Sequence, residues 1–153
     1  MLEAIPVDWM QKLERLEREG WSVQVEKGNA IVYQSRDPML KPLYICFTTH
    51  PQELAQATVI DKIVGRAAAY LCILGKVSRV ITPLASRSAE EVLRTNGIEL
   101  QALRIVPQIM ARNMVGPCPM EILAEASGTP EVFLAELQRR MGASFNHANQ
   151  ESR

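Results

Sequence analysis

The chain has 153 residues, with 17 Lys and Arg against 17 Asp and Glu, which is one domain's length and enough chain to bury a core. Balanced charge without a basic run argues against nucleic acid or an anionic membrane surface as partner, and no apolar stretch reaches the length of a membrane span. Glu3, Asp8, Lys12, Glu14 and Arg15 interrupt any leader-like apolar run, and Cys46, Cys72 and Cys118 are odd in number and widely spaced. The expectation is a soluble cytoplasmic domain without a disulfide framework.

Asp8 is placed to cap a helix running to Glu19, with Trp9, Leu13 and Leu16 on one face and Gly20 as its stop. Residues 21–25 alternate like a half-buried strand, Lys27-Gly28-Asn29 makes a turn, and 30–34 return, so a β-hairpin is predicted. Residues 35–42 read as a loop, 43–47 as either strand or helix, and 51–56 as a short helical turn. Asp61 then caps a predicted helix over 62–74 that is apolar nearly all round, the pattern of a helix covered on several sides.

Gly75 ends that helix and 77–82 is a strand; Ser86 or Ser88 starts the next helix, which Gly97 closes, and 98–103 is another strand. This order implies a parallel pair with a crossover. A further short strand is predicted at 105–110, and Thr129 caps a last helix over 130–141 with Phe133, Leu134, Leu137 and Met141 inward. The reading is a helical extension over 1–20, one α/β domain over 21–141 with a mixed sheet of about five strands, and a polar, disordered tail over 142–153.

The chemistry concentrates at Gly116-Pro117-Cys118-Pro119-Met120-Glu121. Gly116 and Pro117 turn the chain, Pro119 suits the first helical position, and Cys118 is thereby held at a helix mouth. Free amides and the helix dipole there favour thiolate over thiol. Glu121 falls at the capping-box position, where it either reaches back to the Cys118 N–H or serves as a general base. Lys62 in a first helical turn opposes the dipole, and Arg66 follows one turn later on the same face; two such cations make sense if an anion docks on the exposed amides. The alternative is that Arg66 pairs with Glu90, Glu91 or Glu121. Gly65 leaves room for close packing or for a ligand, and Asn113 offers an amide to the same place. Cys46 and Cys72 read as core residues.

The stretch Val59-Ile60-Asp61-Lys62-Ile63-Val64-Gly65-Arg66-Ala67-Ala68-Ala69, taken with Gly116 to Glu121, resembles a prokaryotic family of uncharacterised proteins grouped with the cytidine-deaminase-like fold. The likeness covers roughly residues 20–141. It implies a three-layer α/β/α domain in which the two motif helices lie side by side with their N-termini converging. It supplies no established activity. A zinc deaminase needs a His or Cys on one helix, a Cys-x-x-Cys pair on the next and a proton-shuttling Glu. Here Glu121 stands where the last cysteine would be, and Asp61 has no His-x-Glu beside it. No catalytic zinc is expected.

No Gly-x-Gly-x-x-Gly, P-loop or Gly-x-Ser-x-Gly appears, and no cofactor is expected. Three functions stay open. The first is binding of a small anionic metabolite or nucleotide-like ligand by Lys62, Gly65, Arg66, Asn113 and Gly116. The second is an enzyme with Cys118 as nucleophile and Glu121 or Asp61 moving protons. The third is a structural scaffold. A homodimer is the base-rate expectation, with Trp9 and Met10 of the first helix contributing.

Overall fold

A computed structural model describes residues 8–111, 113 and 115–151, with side chains up to residue 140. Helix α1 (Asp8–Glu19) buries Leu13 and Leu16 and ends at Gly20, whose φ of 74° is the left-handed conformation that glycine adopts without strain. Strands β1 (Val23–Lys27) and β2 (Ala30–Ser35) form the predicted hairpin, with a register shift between Val25 and Glu26. The ambiguous run after Pro42 is helical: α2 (Lys41–Thr49) starts with a proline in its first turn, and α3 (Pro51–Leu54) follows.

The first correction falls next. Thr58–Asp61 is a strand, β3, and the helix expected from Lys62 starts four residues later as α4 (Arg66–Leu74). Val59 and Ile60 are both fully buried, one on each face of the sheet, so β3 shows none of the alternation by which a half-exposed strand announces itself. Strand β4 (Arg79–Ser86) leads into α5 (Arg87–Thr95), capped by the Ser86 hydroxyl, which accepts from the Ala89 N–H at 3.0 Å. Strand β5 (Glu99–Val106) absorbs the start of the separate strand expected at 105–110; beyond it only Met110 forms a bridge, to Pro117.

Helix α6 (Pro119–Ser127) closes at Gly128, which is left-handed at φ 78°. Thr129 Oγ1 accepts from the Val132 N–H at 3.2 Å at the head of α7 (Pro130–Glu151), whose Phe133 and Leu137 are fully buried. The backbone continues helical past Met141, where the sequence reading ended it; the inward placement expected of Met141 lies outside the described side chains.

The five strands form one mixed sheet in the order β2-β1-β3-β4-β5. The hairpin and the β1–β3 pair are antiparallel, whereas β3–β4 and β4–β5 are parallel. The two parallel steps are crossovers through α4 and α5. The main core joins one sheet face to α4, α5, α6 and α7, with Tyr70 against Phe133 at a ring separation of 5.8 Å. Cys46 and Cys72 sit in it, as read from the sequence. On the other face, Leu13 and Leu16 of α1 pack on Ile60 and Ile81 with Trp9 and Trp21. Glu26, only 4% exposed, ties α1 to the hairpin through Lys12 (2.5 Å) and Arg15 (2.9 Å).

Candidate functional site

Strand β3 delivers Asp61 to its C-terminal end, and the chain then crosses to α4 through four residues. Val64 anchors that crossing on the end of β4: its N–H donates to Leu84 O at 2.9 Å, and its carbonyl accepts from Ser86 N–H at 3.0 Å. Gly65 is thereby fixed as the residue that precedes α4. A second anchor sets α6. The loop from β5 doubles back so that Ala111 N–H donates to Gly116 O (2.9 Å) and Cys118 N–H to Ile109 O (3.0 Å). Cys118 is the N-cap of α6, half-buried, with extended backbone (φ −60°, ψ 134°), a thiol that caps no amide, and Pro119 next. The helix-mouth thiol read from the sequence has this geometry.

Glu121 does not make the capping box. Its carboxylate leaves α6 and caps α4 instead: Oε1 accepts from the Arg66 N–H at 2.6 Å and Oε2 from the Ala67 N–H at 3.0 Å. These are two of the orphan donors of the α4 N-terminus, filled by a side chain 55 residues from Arg66 in the chain. The Cys118 N–H, the partner expected for Glu121, goes to Ile109 O. Gly65 explains how the carboxylate reaches so close. A Cβ there would lie 2.0 Å from Glu121 Oε1 and 2.3 Å from its carboxyl carbon. Burial pushes the Glu121 pKa up; the two α4 amides and Arg66 pull it back, and the net direction is upward.

Asp61 is 8% exposed. Its Oδ1 accepts from the Ile63 N–H at a long 3.4 Å. Burial lifts its pKa from 3.8 to about 7 against the backbone N–H groups of Ile63 and Lys62. It is therefore not a helix cap but a buried carboxyl at a strand end.

The two cations part company. Lys62 is exposed in the crossing segment and never enters a helical turn. Arg66 opens α4, and its guanidinium runs along the helix, with Nε donating to Tyr70 Oη and Nη1 to Ser88 Oγ, both at 2.7 Å. It pairs with none of the expected glutamates; Glu90 pairs with Arg94 at 3.3 Å. The expected cationic pair around an anion on the α4 amides is thus replaced by an internal anion, Glu121.

Asp61, Lys62, Gly65, Cys118 and Glu121 nonetheless wall one cavity of about 320 Å³. Arg66, Asn113 and Gly116 lie outside its wall; Asn113 is exposed, and its Oδ1 accepts from Val115 N–H at 3.0 Å in a local turn. The sequence reading missed the apolar side of the cavity, which comes from Met39 and Leu40 before α2, Ile109 and Met110 before α6, and Ala68 of α4. Those loops are far apart in the chain, and no spacing rule links them. Among the described residues, no group of three or more His, Cys, Asp or Glu is placed to hold a metal ion.

The family described as "TM1506: Domain of unknown function (DUF1893)" matches residues 11–141. The chain belongs to the DUF1893 family. The match starts within α1, so the likeness reaches further toward the N-terminus than the two motifs indicated. Among solved structures, the crystal structure of a DUF1893 family protein (TM1506) from Thermotoga maritima at 2.70 Å resolution is similar, with a TM-score of 0.78 and 21% identity. That likeness covers 90% of this chain and 93% of the other, and it shows that the two share a fold. A comparison with curated proteins gave no match.

Proposed function

We propose that this DUF1893 protein is a small-molecule-binding domain, with its site in the cavity between the crossing segment 62–65 and the head of α6. Its architecture is read as three-layer and cytidine-deaminase-like. The sheet order, with helices of the main core on one face and α1 on the other, supports that reading, as does the meeting of the α4 and α6 N-termini. The observation that carries the proposal is the cavity itself. At about 320 Å³ it falls within the range of small-molecule sites, and its wall is largely apolar with a few converging polar groups. Zinc has no part in it, since one thiol and two carboxyls lack the imidazole and paired thiolates that zinc selects.

Cys118 makes the proposal testable without knowing the ligand. Native protein is treated with iodoacetamide and the adducts are mapped by mass spectrometry. Cys46 and Cys72 are buried and serve as controls; burial also raises both thiol pKa values, that of Cys46 to about 11. Cys118 is expected to react in the folded chain while the other two react only after unfolding. Soaking with a library of fragments of about ten heavy atoms is expected to yield members that slow Cys118 alkylation at least tenfold and raise apparent stability by mass action. An inert Cys118, or a full library without one protecting member, overturns the proposal. A second reading, Cys118 as a nucleophile, is favoured by its place at the α6 N-cap in the same wall. It predicts alkylation faster than that of free cysteine at the same pH; an equal or slower rate rejects it.

A further inference from the structure

Resting on the binding proposal above, we infer that the cavity takes a ligand with a nitrogen donor, an amine or amidine on an otherwise apolar body, and that this group docks on Asp61. The inference starts from what the wall offers. Among the described residues its ionisable groups other than the Cys118 thiol are Asp61, Glu121 and Lys62, and the one cation of these three, Lys62, is exposed. Glu121 is spent: both its oxygens are held by α4 amides. Asp61 is not.

Asp61 is more than nine-tenths buried, lines the cavity, and hydrogen-bonds to no side chain among the described residues. No described Lys or Arg pairs with it. Its contacts are backbone N–H groups of the adjoining residues, the Ile63 one at 3.4 Å. A carboxyl held by backbone N–H groups alone keeps acceptor positions free, and a donor on a ligand in the cavity would fill them.

An anionic ligand fits the same wall badly. It would share the cavity with the Asp61 and Glu121 carboxyls, and the Arg66 and Ala67 amides that open α4 already hold Glu121. The remaining surface, from Met39, Leu40, Ala68, Ile109 and Met110, suits an apolar ring or chain.

The experiment uses four probes of one size on the full chain: benzamidine, benzylamine, benzyl alcohol and benzoate. Affinity is read by protection of Cys118 from iodoacetamide and by titration calorimetry, on wild type and on Asp61→Asn. Benzamidine and benzylamine are expected to bind at least tenfold tighter than benzyl alcohol, with benzoate weakest. In Asp61→Asn, the two cationic probes are expected to fall to the level of benzyl alcohol, whose own affinity stays within threefold. If benzyl alcohol or benzoate matches the cationic probes on the wild-type chain, the inference is overturned while the cavity remains a binding site; that ranking needs no variant. If the cationic probes lead but keep their margin in Asp61→Asn, the docking on Asp61 is wrong. If none of the four binds, this inference falls, and the fragment library decides separately whether the cavity is a binding site.

Discussion

Gly65→Ala is expected to destabilise the protein by about 2–4 kcal/mol, the sum of an overpacked contact and a lost helix cap. The backbone is not the cause. Gly65 has φ −99° and ψ −171°, extended values that any residue adopts. The cost comes from the Glu121 carboxylate, which a Cβ would meet at 2.0 Å and which must then withdraw from the Arg66 and Ala67 amides. Glu121→Ala alone is expected to cost about 1.5–3 kcal/mol, the scale of hydrogen bonds to a charged group. With the carboxylate gone, the same Gly65→Ala change meets nothing of Glu121 and becomes worth a few tenths of a kcal/mol either way, since alanine also restricts the unfolded chain. Urea denaturation of the four proteins gives the coupling directly. Additive losses would show that the glycine and the carboxylate do not act as one latch.

Asp61→Asn is expected to make the protein more stable at pH 8 and to leave it unchanged near pH 4. Burial raises the Asp61 pKa from 3.8 to about 7, so between these values the folded state holds a proton that the unfolded chain has released. Stability from this group is fully present below the unfolded value and is lost as pH rises through about 7. Three units at 1.36 kcal/mol each set an upper bound of about 4 kcal/mol on the gain at pH 8. Denaturant midpoints of the two proteins, followed from pH 4 to 8.5, should diverge with rising pH. Parallel midpoints across that range would show that the carboxyl ionises in the fold as easily as in the unfolded chain.

Much of the fold is legible in the sequence because its signals are local. The hairpin turn, the Ser86 cap, Gly97, and the Thr129 start of α7 are each fixed by one or two residues and their immediate neighbours. Strand β3 is not legible that way. Burial on both faces erases its period, and Asp61 at its end looks like a helix cap because aspartate serves both places. The same limit governs the site. The sequence brings Cys118, Glu121, Asp61, Lys62 and Gly65 forward as a group, and they do share a wall. What it assigns wrongly are their partners: Glu121 answers to α4, and Arg66 to Tyr70 and Ser88, through contacts set by tertiary approach. Helical register predicts a side chain's neighbours within its own helix and says nothing of a second helix arriving head-on.

The Glu121 cap also has a consequence for how the domain assembles. The amides that begin α4 find their acceptors only after more than fifty further residues have been added to the chain and α6 has docked. Until then α4 lacks its cap and the cavity lacks a wall. Exchange of the Arg66 and Ala67 amide hydrogens with solvent deuterium therefore reports on the seating of α6, not on the integrity of α4 alone. Any subglobal opening that lifts α6 away would expose those two amides and dismantle the binding site in the same event.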